Sequence, residues 1–329
     1  MSTLLERARN GHQNAFDMLV APYRTELQVH CYRMLGSLQD AEDVVQEVLV
    51  AAWRGLADFE GRSSVRTWLY RIATNRCLNH RRAASRRPQP VLPSGVPVPT
   101  GLGEVSWLQP FPDSLLDGLP DQLPGPDAKY ETREAITLAF VTAIQHLPPM
   151  QRATLILRDV VGYPAKDTAD LLNISVVSAN NALKRARSTV QRNGARTPHE
   201  IAEPSKEDEV LLERFVNAFM AFDVDAMVEL MSDEVWLRMP PAPFEYYGRD
   251  AAHQFLTAVA ARRRPTALLV PSRANTNPAW GIYSADPATG LVHLSGIEVV
   301  AVNGGLITEL TKFGADVAPW FGLSGTLDP

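Results

Sequence analysis

Cysteine is almost missing from this chain, with only Cys31 and Cys77 among 329 residues. Two thiols at that separation have neither metal-ligand spacing nor disulfide density, which excludes a stapled secreted scaffold and fits a reducing cytoplasm. Long apolar runs are missing too, so no membrane partner is expected. The opening stretch, MSTLLERARNGHQNAF, is amphipathic and too charged for a secretory signal. A basic excess is the third shortage. The formal net charge is −5, which disfavours a protein that coats DNA by phosphate neutralisation alone. The deficit is uneven: residues 206–329 carry 9 Lys+Arg against 16 Asp+Glu, which leaves 23 against 21 for residues 1–205. Any contact with DNA is therefore expected to be local.

The length suits two or three domains. Helical spacing of Leu4, Ala8, Ala15, Phe16 and Leu19, interrupted by Gly11, predicts a first helix, and Pro22 opens a second over 23–35. The stretch from Asp40 to Arg82 then changes sign along its length. Its first helix is capped by Ser37 or Asp40, carries Asp40, Glu42, Asp43 and Glu47, and buries Val45, Val48, Leu49 and Ala52. A mixed face of Asp40, Asp43, Gln46, Glu47 and Trp53 suits a basic partner helix. After a polar elbow at 58–64 comes a helix over 64–82 with Val65, Trp68, Leu69, Ile72 and Leu78 toward a core. Residues 62–87 contain no acid; Arg62, Arg66, Arg71, Arg76, Arg81, Arg82, Arg86 and Arg87 alternate there with Trp68, Tyr70, Asn75, Asn79 and His80. Guanidinium groups neutralise phosphate, aromatic faces stack on unpaired bases, and amides read base edges.

Residues 88–126 are rich in Pro and Gly and read as an extended tether, except that Trp107, Leu108, Phe111, Leu115 and Leu116 are apolar enough to pack on a neighbouring domain. Helical pattern returns over 130–146 and 151–160. A short helix over 164–172, a turn at 173–175 and a longer helix over 176–191 then form a helix-turn-helix. Ser175 is its cap, and Pro164 stands at a first helical position. Ser178, Asn180, Asn181, Lys184, Arg185 and Arg187 face outward from the second helix, toward a major groove. Beyond a second linker the pattern is helices first (210–222, 224–231), then strands at 235–239, 267–271, 279–284, 291–302 and 306–313, with a helix near Arg249 and a hairpin turn at Asn303-Gly304-Gly305. Candidate interior polar groups there are Trp236, Arg238, Tyr246, Tyr247, His253, Trp280, Tyr283, His293 and Glu298. No pair of them stands at catalytic spacing, and strict alternation puts His293 and Glu298 on opposite faces unless a bulge intervenes.

The stretches DAEDVVQEVLVAAWR and FEGRSSVRTWLYRIATNRCLNHRR resemble region 2 of the extracytoplasmic-function sigma factors. LPPMQRATLILRDVVGYPAKDTADLLNISVVSANNALKRAR resembles their region 4, and the C-terminal pattern is similar to the SnoaL-like cone that some large members carry. The resemblance implies a multidomain fold: two all-α domains (region 2 at 1–87, helix-turn-helix region 4 at 129–192), joined by a linker at 88–128. A second linker at 193–206 leads to an α+β cone with a curved antiparallel sheet at 207–329. It implies core RNA polymerase (β′ clamp and β flap) and promoter DNA as partners. Asp40, Asp43, Gln46, Glu47 and Trp53 would hold the polymerase. Arg62, Ser63, Arg66, Asn75, Arg76, Asn79 and Arg82 would hold the melted −10 strand. Ser178, Asn180, Asn181, Lys184, Arg185 and Arg187 would read the −35 duplex. Neither metal, cofactor nor catalysis is expected; the cone would be a regulatory module with room for a small ligand. Two other readings are a free-standing helix-turn-helix regulator and a cone-based small-molecule enzyme or ligand sensor fused to a DNA-binding helical part.

Overall fold

A computed structural model describes residues 2–80, 92, 95–103, 105, 107–116, 134–192, 205–262, 266–286 and 290–327. It divides into two compact units, one of residues 1–83 and 115–199, the other of 84–114 and 200–329. Among the described residues no helix is long and apolar enough to cross a membrane, and no cluster of His, Cys, Asp or Glu could hold a metal ion.

The helical unit begins with α1 (Ser2–Arg9), α2 (Gln13–Val20), a 3-10 turn at Ala21–Tyr23 and α3 (Arg24–Leu35). Sequence spacing merged α1 and α2 into one helix, but Gly11 at φ +83° ends the first. Then follow α4 (Leu38–Gly55) and α5 (Val65–Asn79). Ser37 and Ser64 cap them by accepting the Asp40 and Thr67 amides, each such cap contributing about 1 kcal/mol. A 3-10 turn at Glu134–Ile136 leads into α6 (Leu138–Gln145), shorter than the 130–146 that spacing suggests; residues 130–133 fall outside the described set. Next come α7 (Pro149–Leu155), a π-helical turn at Ile156–Val160, α8 (Ala165–Leu172) and α9 (Val176–Arg192). Pro164 is the residue before α8 rather than its first, with extended backbone (φ −57°, ψ 157°).

The second unit holds β1 (Gly101–Leu102), α10 (Lys206–Ala221), α11 (Val224–Glu229), β2 (Met231–Met239), β3 (Ala242–Tyr247), α12 (Arg249–Ala260), β4 (Thr266–Ala274), β5 (Asn277–Ala285), β6 (Val292–Asn303), β7 (Leu306–Phe313) and β8 (Thr326–Leu327). The sheet runs β1-β3-β2-β7-β6-β5-β4, with β8 on β6. Every pairing is antiparallel except β2 with β7. The helices cover one sheet face: Phe215, Phe219, Met227 and Ala252 pack on Leu237, Ile282, Val300 and Leu310. Strand β3 escaped the sequence reading because Pro240-Pro241 and Pro243 mask its alternation.

The Pro-rich segment is no bare tether. Thr100 N–H donates to Glu245 O at 2.9 Å, and Gly101–Leu102 extend the sheet as a strand beside β3. Tyr246 hydroxyl donates to Pro97 O (2.8 Å), and Phe111 and Asn275 exchange two hydrogen bonds of 2.8 Å. Phe111 and Leu108 are buried, as the apolar composition of 107–116 suggested. Asp113 closes the contact by accepting from Thr276 N–H (2.8 Å) and Arg273 Nε (3.1 Å).

Candidate nucleic-acid interface

Helix α4 turns Leu38, Ala41, Val44, Val45, Val48 and Ala52 inward, so the intervening positions form one outer strip. Asp43, Gln46, Glu47, Val50 and Trp53, at i, i+3, i+4, i+7 and i+10, are all exposed. Asp40 is half-buried near His80, 3.9 Å away. Val50, on this same face, is an apolar group left 50% exposed among these acids. An acidic strip with an apolar side chain bare within it has the chemistry to receive a basic, partly apolar partner surface. Sequence reading found the acids and Trp53 but passed over Val50, which breaks an otherwise polar face. Trp53 is steadied by an edge-on contact with Phe16 (centroids 5.1 Å apart).

Of the −10 candidates, Arg62, Ser63, Asn75, Arg76 and Asn79 are exposed. Arg62 pairs with Glu60 (3.0 Å) and Arg76 with Glu47 (3.6 Å), exposed pairs of about 0–1 kcal/mol that a phosphate can replace. Arg82 lies outside the described residues, as do Arg81, Arg86 and Arg87. The interleaved aromatics are not free to stack on bases: Trp68 and Tyr70 are core residues. On α5 they occupy the face that packs under α3 and α4, and there burial outweighed the charged neighbours.

Arg66 also departs from expectation. Its Nε donates to both oxygens of Glu26 (2.9 and 3.1 Å), and its guanidinium lies 4.9 Å from the Tyr70 ring centroid and 5.9 Å from that of Tyr163. Burial pushes the Glu26 carboxyl above its ordinary range, against the pull of Arg66. Tyr163 precedes α8, so this cluster spans the two helical halves of the unit. A second buried seam joins them. Arg33 Nε donates to Ala135 O (2.9 Å), Gln145 Nε2 to Arg33 O (2.9 Å), and Arg152 to Met34 O, Ile144 O, Gln145 O, Gln145 Oε1 and Leu147 O. Gly36 (φ +73°) is required where the seam passes, since a Cβ there would meet the Gln145 side chain at 2.9 Å. Sequence reading missed Glu26, Arg33, Arg152 and Tyr163 because their partners lie about 40 to 120 residues away in the chain.

Helix α8, a turn with Asn173 at φ +53°, and α9 form the helix-turn-helix, closed by Ala169, Leu172, Ala179, Leu183 and Ala186. Ser175 Oγ accepts the Ser178 amide (3.1 Å). Ser178, Asn180, Asn181, Lys184 and Arg185 are exposed. Arg187 is not one of this set: its Nε and Nη2 bind Asp159 at 2.7 and 2.6 Å, and Asp159 is 1% exposed. The π-helical turn swings Asp159 inward beneath α9, a register that helical spacing does not forecast.

The sequence matches family models at these places: "Sigma-70 region 2" at residues 19–87, "Sigma-70, region 4" at 137–190 and "SnoaL-like domain" at 212–310. It is 39% identical over 330 residues to ECF RNA polymerase sigma factor SigG of Mycobacterium tuberculosis (strain CDC 1551 / Oshkosh), covering 95% of this chain and 85% of that one. The chain belongs to the extracytoplasmic-function sigma factors. A shorter relative, the RNA polymerase sigma-H factor of Pseudomonas aeruginosa, is 31% identical over 189 residues, 57% of this chain and 91% of that protein. The fold resembles the crystal structure of the M. tuberculosis extracytoplasmic function sigma factor SigJ (TM-score 0.63, 20% identity, covering 94% of this chain and 99% of that one). The first helical half is thus region 2, the second region 4, and the sheet unit carries the SnoaL-like domain.

In that domain Glu298 is buried and Arg238 half-buried, the latter bound to Glu309 (2.6 Å) and Glu245 (3.0 Å) and stacked on Trp236. Tyr246 and Tyr283 are buried, Tyr247 is exposed, Trp280 and His293 are half-buried, and His253 meets Asp225 at 2.8 Å on the surface. The bulge that would reunite His293 with Glu298 does occur. The β5–β6 register shifts past Ser295, so both share a face, opposite Ser284 and Trp280. Those positions are four residues apart on β5, about 13 Å, beyond the reach of acid–base partnership.

Proposed function

We propose that this chain binds core RNA polymerase in the cytoplasm and directs promoter-specific initiation. Region 2 (1–87) takes the β′ clamp on the Asp40, Asp43, Gln46, Glu47 and Trp53 strip and holds the −10 strand with Arg62, Ser63, Asn75, Arg76 and Asn79. Region 4 (129–192) takes the β flap and reads the −35 duplex with Ser178, Asn180, Asn181, Lys184 and Arg185. The SnoaL-like domain (207–329) acts as a regulatory module with room for a small ligand, not as an enzyme. The carrying observation is the pairing in one chain of an acidic, apolar-studded docking helix with an exposed, acid-free Arg/Asn surface on the next helix.

The seam between regions 2 and 4 supports a further element of the reading. The two promoter elements lie 25 base pairs apart by their names, about 85 Å of duplex. A compact unit of this size is about 40 Å across. It cannot contact both elements at once, so initiation separates region 4 from region 2 and frees Arg66 from Glu26 and Tyr163. Residues 97–102 on the β3 edge and 111–113 on the β4–β5 turn give the SnoaL-like domain a grip on the linker between them.

The test is run-off transcription with purified core polymerase on a promoter template. Promoter-dependent RNA supports the proposal; failure of the chain to associate with core enzyme refutes it. A shift of naked duplex at ordinary salt without polymerase would instead favour a free-standing regulator. Deleting residues from Lys206 onward changes transcript yield if the domain regulates; an unchanged yield removes that role.

A further inference from the structure

Between the helices and the sheet of the SnoaL-like domain lies a cavity of about 180 Å³. Its walls are apolar and come from α10 (Phe219), α11 (Met227), α12 (Phe255, Val259) and β2 (Leu237, Met239). A dry apolar cavity of about 150 Å³ holds one benzene ring in another protein. This one therefore takes a single ring with a short substituent, and four fused rings do not fit. The walls alone would accept any greasy molecule of that size.

The sheet floor adds a requirement. Glu298 on β6 and Lys312 on β7 are direct cross-strand partners and both line the cavity. Alternation puts them on the helix-facing side, with Val300 and Leu310 as their inward neighbours. Glu298 is 8% exposed and Lys312 half-buried, so the pair stands at the cavity edge with the acid shielded from water. Arg238 lines the cavity too, but its charge is taken up by Glu309 and Glu245, so the buried acid and the cation side by side offer an acceptor and a donor but no net charge. A carboxylate head would oppose Glu298 and an ammonium would oppose Lys312, each having lost its water. A hydroxyl satisfies both, accepting from one and donating to the other.

We propose that this cavity is a binding site for a small neutral phenol, its ring between α12 and β2 and its hydroxyl on the Glu298–Lys312 pair. This rests on reading the domain as a ligand-taking regulatory module. It is tested by binding alone, so a failure here leaves the polymerase and promoter assignments standing, and a failed run-off assay leaves the site intact.

The experiment titrates 4-ethylphenol into the full-length chain and follows the methyl resonances of Met227 and Met239, with calorimetry in parallel. Expected are saturable shifts of both methyls. Ethylbenzene and 4-ethylbenzoate should bind about fivefold or more weakly, as expected for one lost hydrogen bond or one unmatched charge. Estradiol, a four-ring phenol, should leave both methyls unmoved. Val259→Trp fills the cavity and abolishes the shifts, and Lys312→Met removes one of the hydroxyl's two hydrogen bonds and weakens 4-ethylphenol about fivefold. No saturable shift, or ethylbenzene binding as tightly as 4-ethylphenol, overturns the proposal on the unmodified chain, whether or not the variants fold.

Discussion

Arg187 gives the sharpest separation between what its position on α9 suggests and what its contacts do. Counted along the recognition helix, it belongs with Lys184 as a phosphate neutraliser. In the structure it is a bidentate clamp on a carboxylate that is 1% exposed, while its own side chain is 34% exposed. Removing one partner of a buried ion pair costs about 3–5 kcal/mol, because the other charge stays behind without water. With the guanidinium a third exposed, the lower end applies to Arg187→Ala, about 3 kcal/mol. For a unit of this size that is roughly 6–12 °C in Tm. Lys184→Ala should shift stability by no more than about 0.5 kcal/mol. Binding of the polymerase–sigma complex to a −35 fragment, measured against KCl concentration, should respond in the opposite order. Lys184→Ala lowers the log–log slope by about 0.9, and Arg187→Ala leaves it unchanged at a temperature where the variant is folded. Asp159→Leu combined with Arg187→Met should regain most of the lost stability, since no unpaired charge remains. An Arg187→Ala protein that melts normally and loses the same slope as Lys184→Ala would refute the clamp.

Burial holds the His30 imidazole down to about 3 from 6.5, helped by the nearby Arg33 and Arg66 charges; its stabilising contribution is complete above pH 6.5 and is lost as pH falls toward 3. Urea unfolding of the helical unit should weaken by about 2 kcal/mol between pH 7 and pH 5, a trend that His30→Gln removes. Glu26 runs the other way, its contribution fading as pH rises through its elevated folded value above 4.5, so the difference between wild type and His30→Gln isolates the histidine. Phe111→Ala empties a fully buried site and should cost the C-terminal unit about 3–5 kcal/mol; a loss under about 1 kcal/mol in calorimetry would show that the linker is only loosely laid on the sheet. Gly296→Ala puts a Cβ 2.2 Å from Phe313 O at φ +148° and should abolish soluble expression of the SnoaL-like unit or cost it more than about 4 kcal/mol.

What was legible in the sequence was whatever repeats locally. The buried stripe of α4, the Ser37 and Ser175 caps, the helix-turn-helix and the Asn303-Gly304-Gly305 hairpin each depend on neighbours within one or two turns of chain. The C-terminal helices-then-sheet pattern was visible for the same reason, apart from β3, where proline masks alternation. What stayed hidden depends on partners far away. Nothing near Arg66 announces Glu26 or Tyr163, and nothing near Arg187 announces an Asp159 turned inward by a π-helical turn. The mixed Arg/aromatic pattern of α5 also overstated the interface. In a short helix between two packed layers, Trp68 and Tyr70 gain more from burial than from solvent exposure, whatever charges flank them.

Arg66 shows how one side chain can be read both ways without contradiction. Its charge is matched by Glu26 in the closed unit, and under the proposed separation of region 4 the two free oxygens of a promoter phosphate would offer it another bidentate acceptor. The exchange replaces one anion by another on the same guanidinium, so its electrostatic cost falls on Glu26 rather than on Arg66. Glu26 is already biased by burial toward the neutral acid, and with Tyr163 removed it gains access to water. Either route, a proton or hydration, limits the penalty for leaving the carboxylate unpaired. Separation is also opposed by the second seam, where Arg152 gathers five acceptors including Met34 O on the far side. Of these five contacts the one to Met34 crosses between the halves, and the other four lie within region 4. Arg33, Gln145 and one arm of Arg152 tie the halves together, alongside the packing of α5 on α8 and of α3 on α6 and α7, and a docking partner on α4 has to outweigh both.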